Sequence, residues 1–109
     1  LYFIYLITKK QPNWNDTMNC LQRKLAESLV IFDGAIGDNR RNFFVNASFE
    51  QLSVTNPDVI LDIHRQYLDA GAEVLTTNTF NANARRLGKF GLADQTATIN
   101  RASAELARQ

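Results

Sequence analysis

The chain has one cysteine, Cys20, and one histidine, His64, among its 109 residues. An internal disulfide is therefore excluded, and a closed zinc site cannot be assembled from this chain alone. The low cysteine content points to a reducing, cytoplasmic setting. Charge of one sign is also missing, with twelve Lys and Arg against eleven Asp and Glu, a net charge of +1. That balance offers no electrostatic attraction for nucleic acid or an anionic membrane. Long hydrophobic runs are absent as well. Leu1 to Ile7 (LYFIYLI) is too short to span a bilayer and has no basic segment ahead of it, as a signal peptide requires.

Neither of the common phosphate-cradling patterns, G-x-G-x-x-G and G-x-x-x-x-G-K-[ST], occurs. Gly34-Ala35-Ile36-Gly37 lacks the lysine that reaches a phosphate. Arg40 and Arg41 are adjacent, a pattern that more often marks a solvated loop than an anion site. With 45% hydrophobic and 21% charged residues, the composition is that of a soluble globular domain.

The first residue is Leu, and Met18 stands just ahead of the patterned region. Residues 1–20 are accordingly expected to be an N-terminal extension, unstructured or a gene-calling artefact, and residues 21–109 the domain. Leu29-Val30-Ile31-Phe32 is a short continuous apolar run ending at Asp33-Gly34, the pattern of a first strand covered on both faces. Residues 38–56, rich in Asn, read as a long loop that packs its apolar side chains.

Asn56-Pro57-Asp58 announces a helix, with Asn as N-cap, Pro at the first helical position and an acid in the first turn. Ile60, Ile63, Tyr67 and Ala70 share one face, and Gly71 ends it. A second strand is expected at Ala72 to Thr77, a helix at Ala82 to Lys89, and a last helix capped by Asp94 with Ile99, Ala102 and Leu106 inward. Nothing caps that helix at Gln109, so the chain is expected to be a truncated sequence.

Strand, helix, strand, helix implies parallel strands joined by right-handed crossovers. A doubly wound sheet and a (β/α) barrel both begin this way, and a complete barrel needs roughly 250 residues. In both architectures ligands bind where the parallel strands end. Two segments qualify: Asp33-Gly34-Ala35-Ile36-Gly37 and Thr77-Asn78-Thr79-Phe80. Glycine lets backbone N–H groups approach a ligand, and Asp33 can accept a bond from an amine. A tight turn at Asp33-Gly34 and helix caps at Thr77 to Thr79 fit the same spacing, so pattern alone leaves both readings open. His64 lies within the helix and away from both strand ends, as a surface or packing residue rather than a base.

Three segments, "FDGAIG", "LSVTNPDVILDIHRQYLDAGAEVLTTNTFNAN" and "RLGKFGLADQTATINRASAELAR", together resemble the amino-terminal part of the homocysteine S-methyltransferase family. Within it they are most similar to the homocysteine-binding module of cobalamin-dependent methionine synthases and to the module fused to methylenetetrahydrofolate reductase. The resemblance implies an α/β fold, the first βα units of a (β/α)8 TIM barrel, incomplete in this chain. It implies a zinc ion that activates the homocysteine thiolate toward a methyl group, since a thiol with pKa near 8.5 is mostly protonated at neutral pH. Cobalamin or a folate would supply the methyl group through parts beyond this chain.

Carried over residue by residue, Asp33, Gly34 and Ala35 match the motif that holds the amino-acid end of homocysteine. Thr77 matches a substrate-contacting position, with Asn78 and Thr79 beside it. These are binding roles; no catalytic residue and no metal ligand is expected in the chain, which alone should be inactive. The expected partners are homocysteine, the methyl donor and the remainder of the barrel, without nucleic acid or membrane.

The chain departs from the family pattern at three places. Asp38, followed by Asn39-Arg40-Arg41, stands where Thr and apolar residues are usual. Thr76 stands where many members have Glu. The zinc-binding cysteines of the family fall beyond Gln109, and Cys20 matches none of them. A reading from another class is a short non-catalytic βαβα module for interaction or assembly, whose open strand edges a partner would cover.

Overall fold

The computed structural model describes residues 4–6, 14–34, 36 and 48–109. Among these residues, two β-strands and five α-helices are laid out in chain order. They are β1 (Ile4–Leu6), α1 (Trp14–Glu27), α2 (Leu52–Thr55), α3 (Pro57–Asp69), β2 (Val74–Thr76), α4 (Ala84–Leu87) and α5 (Thr96–Arg108). No helix among the described residues is long and apolar enough to cross a membrane.

The expected first strand is reduced to a single parallel bridge between Phe32 and Val74. The pairing is parallel, as anticipated. Its hydrogen bonds run from Glu73 N–H to the Ile31 carbonyl at 2.8 Å and from Asp33 N–H to the Val74 carbonyl at 2.9 Å. The apolar run is not covered on both faces: Leu29 is 93% and Ile31 57% exposed. Among the described residues only one strand lies beside this run, the ladder is a single bridge, and none of them covers the outer face.

The other edge of β2 carries β1, antiparallel, with Ile4 opposite Thr76 and Leu6 opposite Val74. Thus β2 is the middle strand, and Val74 and Leu75 are buried. Helix α1 runs continuously across position 20 and is tied to the sheet at its end. There the Lys24 ammonium meets the Glu73 carboxylate at 2.7 Å, which holds the Glu73 carboxyl below its ordinary pKa. The Ile31 N–H, donating to the same carboxylate at 3.4 Å, acts in that direction too.

Helix α3 forms the crossover between the two parallel segments. Pro57 begins it, and Asn56 precedes it without a side-chain cap, its carbonyl accepting from Val59 N–H at 3.1 Å. Its C-terminus is a Schellman motif. Gly71 N–H bonds the Leu68 carbonyl at 3.0 Å and Ala72 N–H bonds the Tyr67 carbonyl at 2.9 Å, with Gly71 at φ 104°. That left-handed turn is why glycine follows the helix. Ile60, Ile63 and His64 are buried on its inner face, whereas Ala70 is exposed, so the apolar stripe ends one turn earlier than its spacing suggested.

Residues 38–47 of the segment read as a loop lie outside the described residues; the rest carries a 3-10 turn at Phe49–Gln51 that leads into α2. The expected helix from Ala82 to Lys89 is shorter: α4 is capped by Asn83, whose Oδ1 accepts from Arg86 N–H at 3.0 Å, and it tightens into a 3-10 turn at Gly88–Phe90. Asp94 does not cap α5. It sits inside a 3-10 turn, Ala93–Gln95, and the Thr96 hydroxyl instead donates to the Ala93 carbonyl at 2.7 Å.

Two apolar clusters hold these pieces together. One joins Leu52, Ile60 and Leu106 from α2, α3 and α5, with Ile36, Phe49 and Leu61 against it. The other joins Ala82, Leu87, Leu92 and Ile99. Burying such side chains is the main favourable term, about 1.5–3 kcal/mol each.

Candidate functional site

The site is built where the two parallel segments end. Asp33 follows the bridge residue Phe32, and its carboxylate faces the last residue of β2. Thr76 N–H lies 3.0 Å from both Asp33 Oδ1 and Oδ2, and the Thr76 hydroxyl donates to Oδ1 at 2.8 Å. The clamp fixes the carboxylate at the sheet end and leaves accepting capacity on Oδ2, since an ionised carboxylate offers about four lone-pair sites. Thr76, marked in the sequence as a departure from Glu, is thus the partner of Asp33. A glutamate there would set a second carboxylate against the first.

Gly34 is exposed, and Tyr67 of α3 stands over it. A Cβ added to Gly34 would lie 2.9 Å from the Tyr67 hydroxyl oxygen. Ala35, the third residue of the motif, lies outside the described residues, as do Gly37, Asp38, Asn39, Arg40 and Arg41.

Beyond Thr76 the chain turns sharply. Thr79 N–H donates to the Thr77 carbonyl at 2.8 Å, and the two threonine hydroxyls are 2.7 Å apart, both buried. One hydroxyl donates to the other, so the acceptor keeps its own hydrogen for a ligand. Asn78 faces the packing instead. Its amide donates to the Phe49 carbonyl at 2.8 Å and to Ser53 Oγ at 3.3 Å, while the Ser103 hydroxyl donates to the Asn78 carbonyl at 3.1 Å. Asp33, Gly34, Thr77 and Thr79 therefore gather at one end of the sheet, and Asn78 secures that end to α2 and α5.

Two further residues join this region. Glu50 is buried; its Oε1 accepts from Asn81 N–H at 2.9 Å and its Oε2 from the Ser48 hydroxyl at 2.6 Å, pinning the loop after Phe80. His64 corrects an expectation. It is 2% exposed, neither ring nitrogen has a hydrogen-bond partner among the described residues, and it lies close enough to Asp33 to feel its charge. Burial lowers its pKa below 6.5, with the Asp33 charge opposing that shift. Sequence spacing placed His64 on the helix but not on the side turned to the strand end. A signal for Glu50 was absent, because nothing in an acidic residue next to a Phe distinguishes a buried carboxylate from a solvated one.

No group of three or more His, Cys, Asp or Glu among the described residues is arranged to hold a metal ion. The described residues do not fit a zinc site.

Comparison with known proteins bears on this geometry directly. Residues 30–109 match the family model described as homocysteine S-methyltransferase. The chain belongs to the homocysteine S-methyltransferase family. The match begins at the first parallel segment and includes both strand ends and α5. The chain is also 32% identical over 97 residues to the methionine synthase of Mycobacterium leprae (strain TN), covering 82% of this chain and 8% of that protein. It is 33% identical over 95 residues to the methionine synthase of Mycobacterium tuberculosis (strain ATCC 25618 / H37Rv), covering 78% of this chain and 8% of the relative. The chain thus spans a small part of these curated relatives. No solved structure matches it.

Proposed function

We propose that residues 21–109 are the amino-terminal part of a homocysteine-binding (β/α)8 barrel, with residues 1–20 an extension ahead of it. The intact protein transfers a methyl group to the sulfur of homocysteine in methionine synthesis. Support comes from the family match and from the two methionine synthases.

The single observation that carries the site is the Asp33 carboxylate fixed across the strand ends by Thr76. An anchored, half-buried carboxylate with spare capacity on Oδ2 suits the ammonium of an amino acid, because a charge-assisted bond is stronger when the acceptor is already in place. The Thr77 and Thr79 hydroxyl pair, with one hydrogen to give, suits the carboxylate end. Gly34 and Ala35 complete the first motif, and Asn78 holds the second in place. Zinc, the cobalamin or folate methyl donor and the remaining strands belong to parts of the protein outside this chain. Exposed Leu29 and Ile31 give those strands an apolar edge to pack on. The compartment is the cytoplasm.

The test is to titrate the protein from the full reading frame with L-homocysteine. Asp33→Ala should weaken binding while zinc content stays near normal. Equal loss of both would make Asp33 a structural residue. Unchanged affinity would remove it from the site and leave a non-catalytic assembly module as the better reading.

A further inference from the structure

The turn that carries Asp33 is gripped from two sides. On one, Thr76 holds the carboxylate. On the other, the ring of Tyr67 closes on Gly34: a Cβ there would stand 2.9 Å from the hydroxyl oxygen and 3.4 Å from both Cε1 and Cζ. Real Cβ atoms essentially never stand at 2.9 Å, so any side chain at position 34 would force the Tyr67 ring or the turn to shift. Backbone conformation does not demand the glycine, because among the described residues the positive-φ glycines are Gly71 and Gly91.

The main chain at Tyr67 is held in place. Its carbonyl is the acceptor of the Schellman bond from Ala72 N–H at 2.9 Å, two residues before β2 begins. The α3 terminus, the start of β2 and the Asp33-Gly34 turn are therefore mechanically joined through one residue. A ring has two side-chain torsions, so its hydroxyl cannot yield without tilting the whole edge that rests on Gly34.

We infer that Tyr67 is a positioning residue for the amino-acid end of the substrate: its phenol edge, seated on the bare Cα of Gly34, sets the height of the turn and hence the direction of the Asp33 carboxylate. This rests on the reading of Asp33-Gly34 as the homocysteine-binding turn. No contact between Tyr67 and the substrate is required.

The experiment measures L-homocysteine affinity by calorimetry on the full-length protein for G34A, Y67F, G34A/Y67F, Y67L and D33N, with thermal melts for each. G34A is expected to weaken binding about tenfold, as overpacking displaces the turn. Y67F alone should stay within about threefold of wild type, and G34A/Y67F should return to within about threefold, because removing the hydroxyl removes the closest clash. Y67L, which deletes the ring edge, should weaken binding about tenfold where Y67F does not, at a temperature where both are folded. A double variant as weak as G34A, or Y67L binding like wild type, overturns the role of Tyr67. If D33N leaves affinity unchanged, the homocysteine site itself is lost; if D33N weakens binding but positions 34 and 67 are uncoupled, only the inference about Tyr67 fails.

Discussion

Asp33 and Thr76 are joined through both the main chain and the side chain of the threonine, with N–H···O contacts of 3.0 Å and a hydroxyl bond of 2.8 Å. The two residues are 43 positions apart, so this clamp closes the crossover unit at the end where the Asp33-Gly34 turn lies. Thr76→Val keeps the shape and the N–H but removes the hydroxyl. A hydrogen bond to a charged group contributes about 1.5–3 kcal/mol. The half-buried setting puts the expected loss of unfolding free energy near the lower value, about 1.5 kcal/mol, measured by urea denaturation. Thr76→Ser should recover most of it.

A second expectation concerns the buried hydroxyl chain. Ser103 is fully buried; its hydroxyl donates to the Asn78 carbonyl at 3.1 Å and lies 2.7 Å from Ser53 Oγ. Ser103→Ala leaves the Asn78 carbonyl without this donor and removes the buried neighbour of Ser53 Oγ, at a cost of about 1–3 kcal/mol. Ser103→Val adds volume as well and should be worse. Unfolding midpoints of the two variants, compared with wild type, check the order.

Acid should weaken the fold through His64. Its folded pKa lies below the ordinary 6.5 because burial disfavours the imidazolium. The unfolded chain therefore takes up a proton before the folded one does. Stability from this group is fully present above pH 6.5 and is lost as pH falls from there through the lower folded value. Thermal midpoints measured between pH 8 and pH 5 should fall on the acid side, and His64→Leu should flatten that part of the curve. An unchanged slope in the variant would assign the acid sensitivity to other groups.

Gly71 gives a sharp test of the helix end. At φ 104°, with nothing within 4 Å of an added Cβ, alanine meets only backbone strain. Gly71→Ala should cost about 1–2 kcal/mol in denaturant unfolding. Homocysteine affinity should change little, because the Tyr67 carbonyl keeps its bond from Ala72.

Local physics was legible in the sequence wherever a residue type has one conformational use. Pro57 starts α3 and Gly71 ends it, and the apolar spacing of Ile60 and Ile63 turned inward as read. Ile99 and Leu106 likewise anchor the two clusters on α5. Polar residues carried no such signal. Asn78 was grouped with Thr77 and Thr79 as a substrate contact, yet its amide binds Phe49 and Ser53, since an asparagine serves a ligand or a loop with the same atoms. Thr76 was noted only for what it replaces.

What the sequence by itself determined is the alternation of apolar strand and amphipathic helix, the crossover at Pro57 to Gly71 and the family to which residues 30–109 belong. Those follow from short-range rules: fixed φ at proline, the left-handed turn at glycine and periodic burial. The tertiary structure decided which groups meet. It set Asp33 on Thr76, Tyr67 on Gly34 and His64 near the Asp33 charge, and it left the Leu29–Phe32 run a single bridge rather than a strand. Each of these depends on the packing of segments more than thirty residues apart, where hydrogen-bond partners and desolvation are fixed by position in space and not by spacing along the chain.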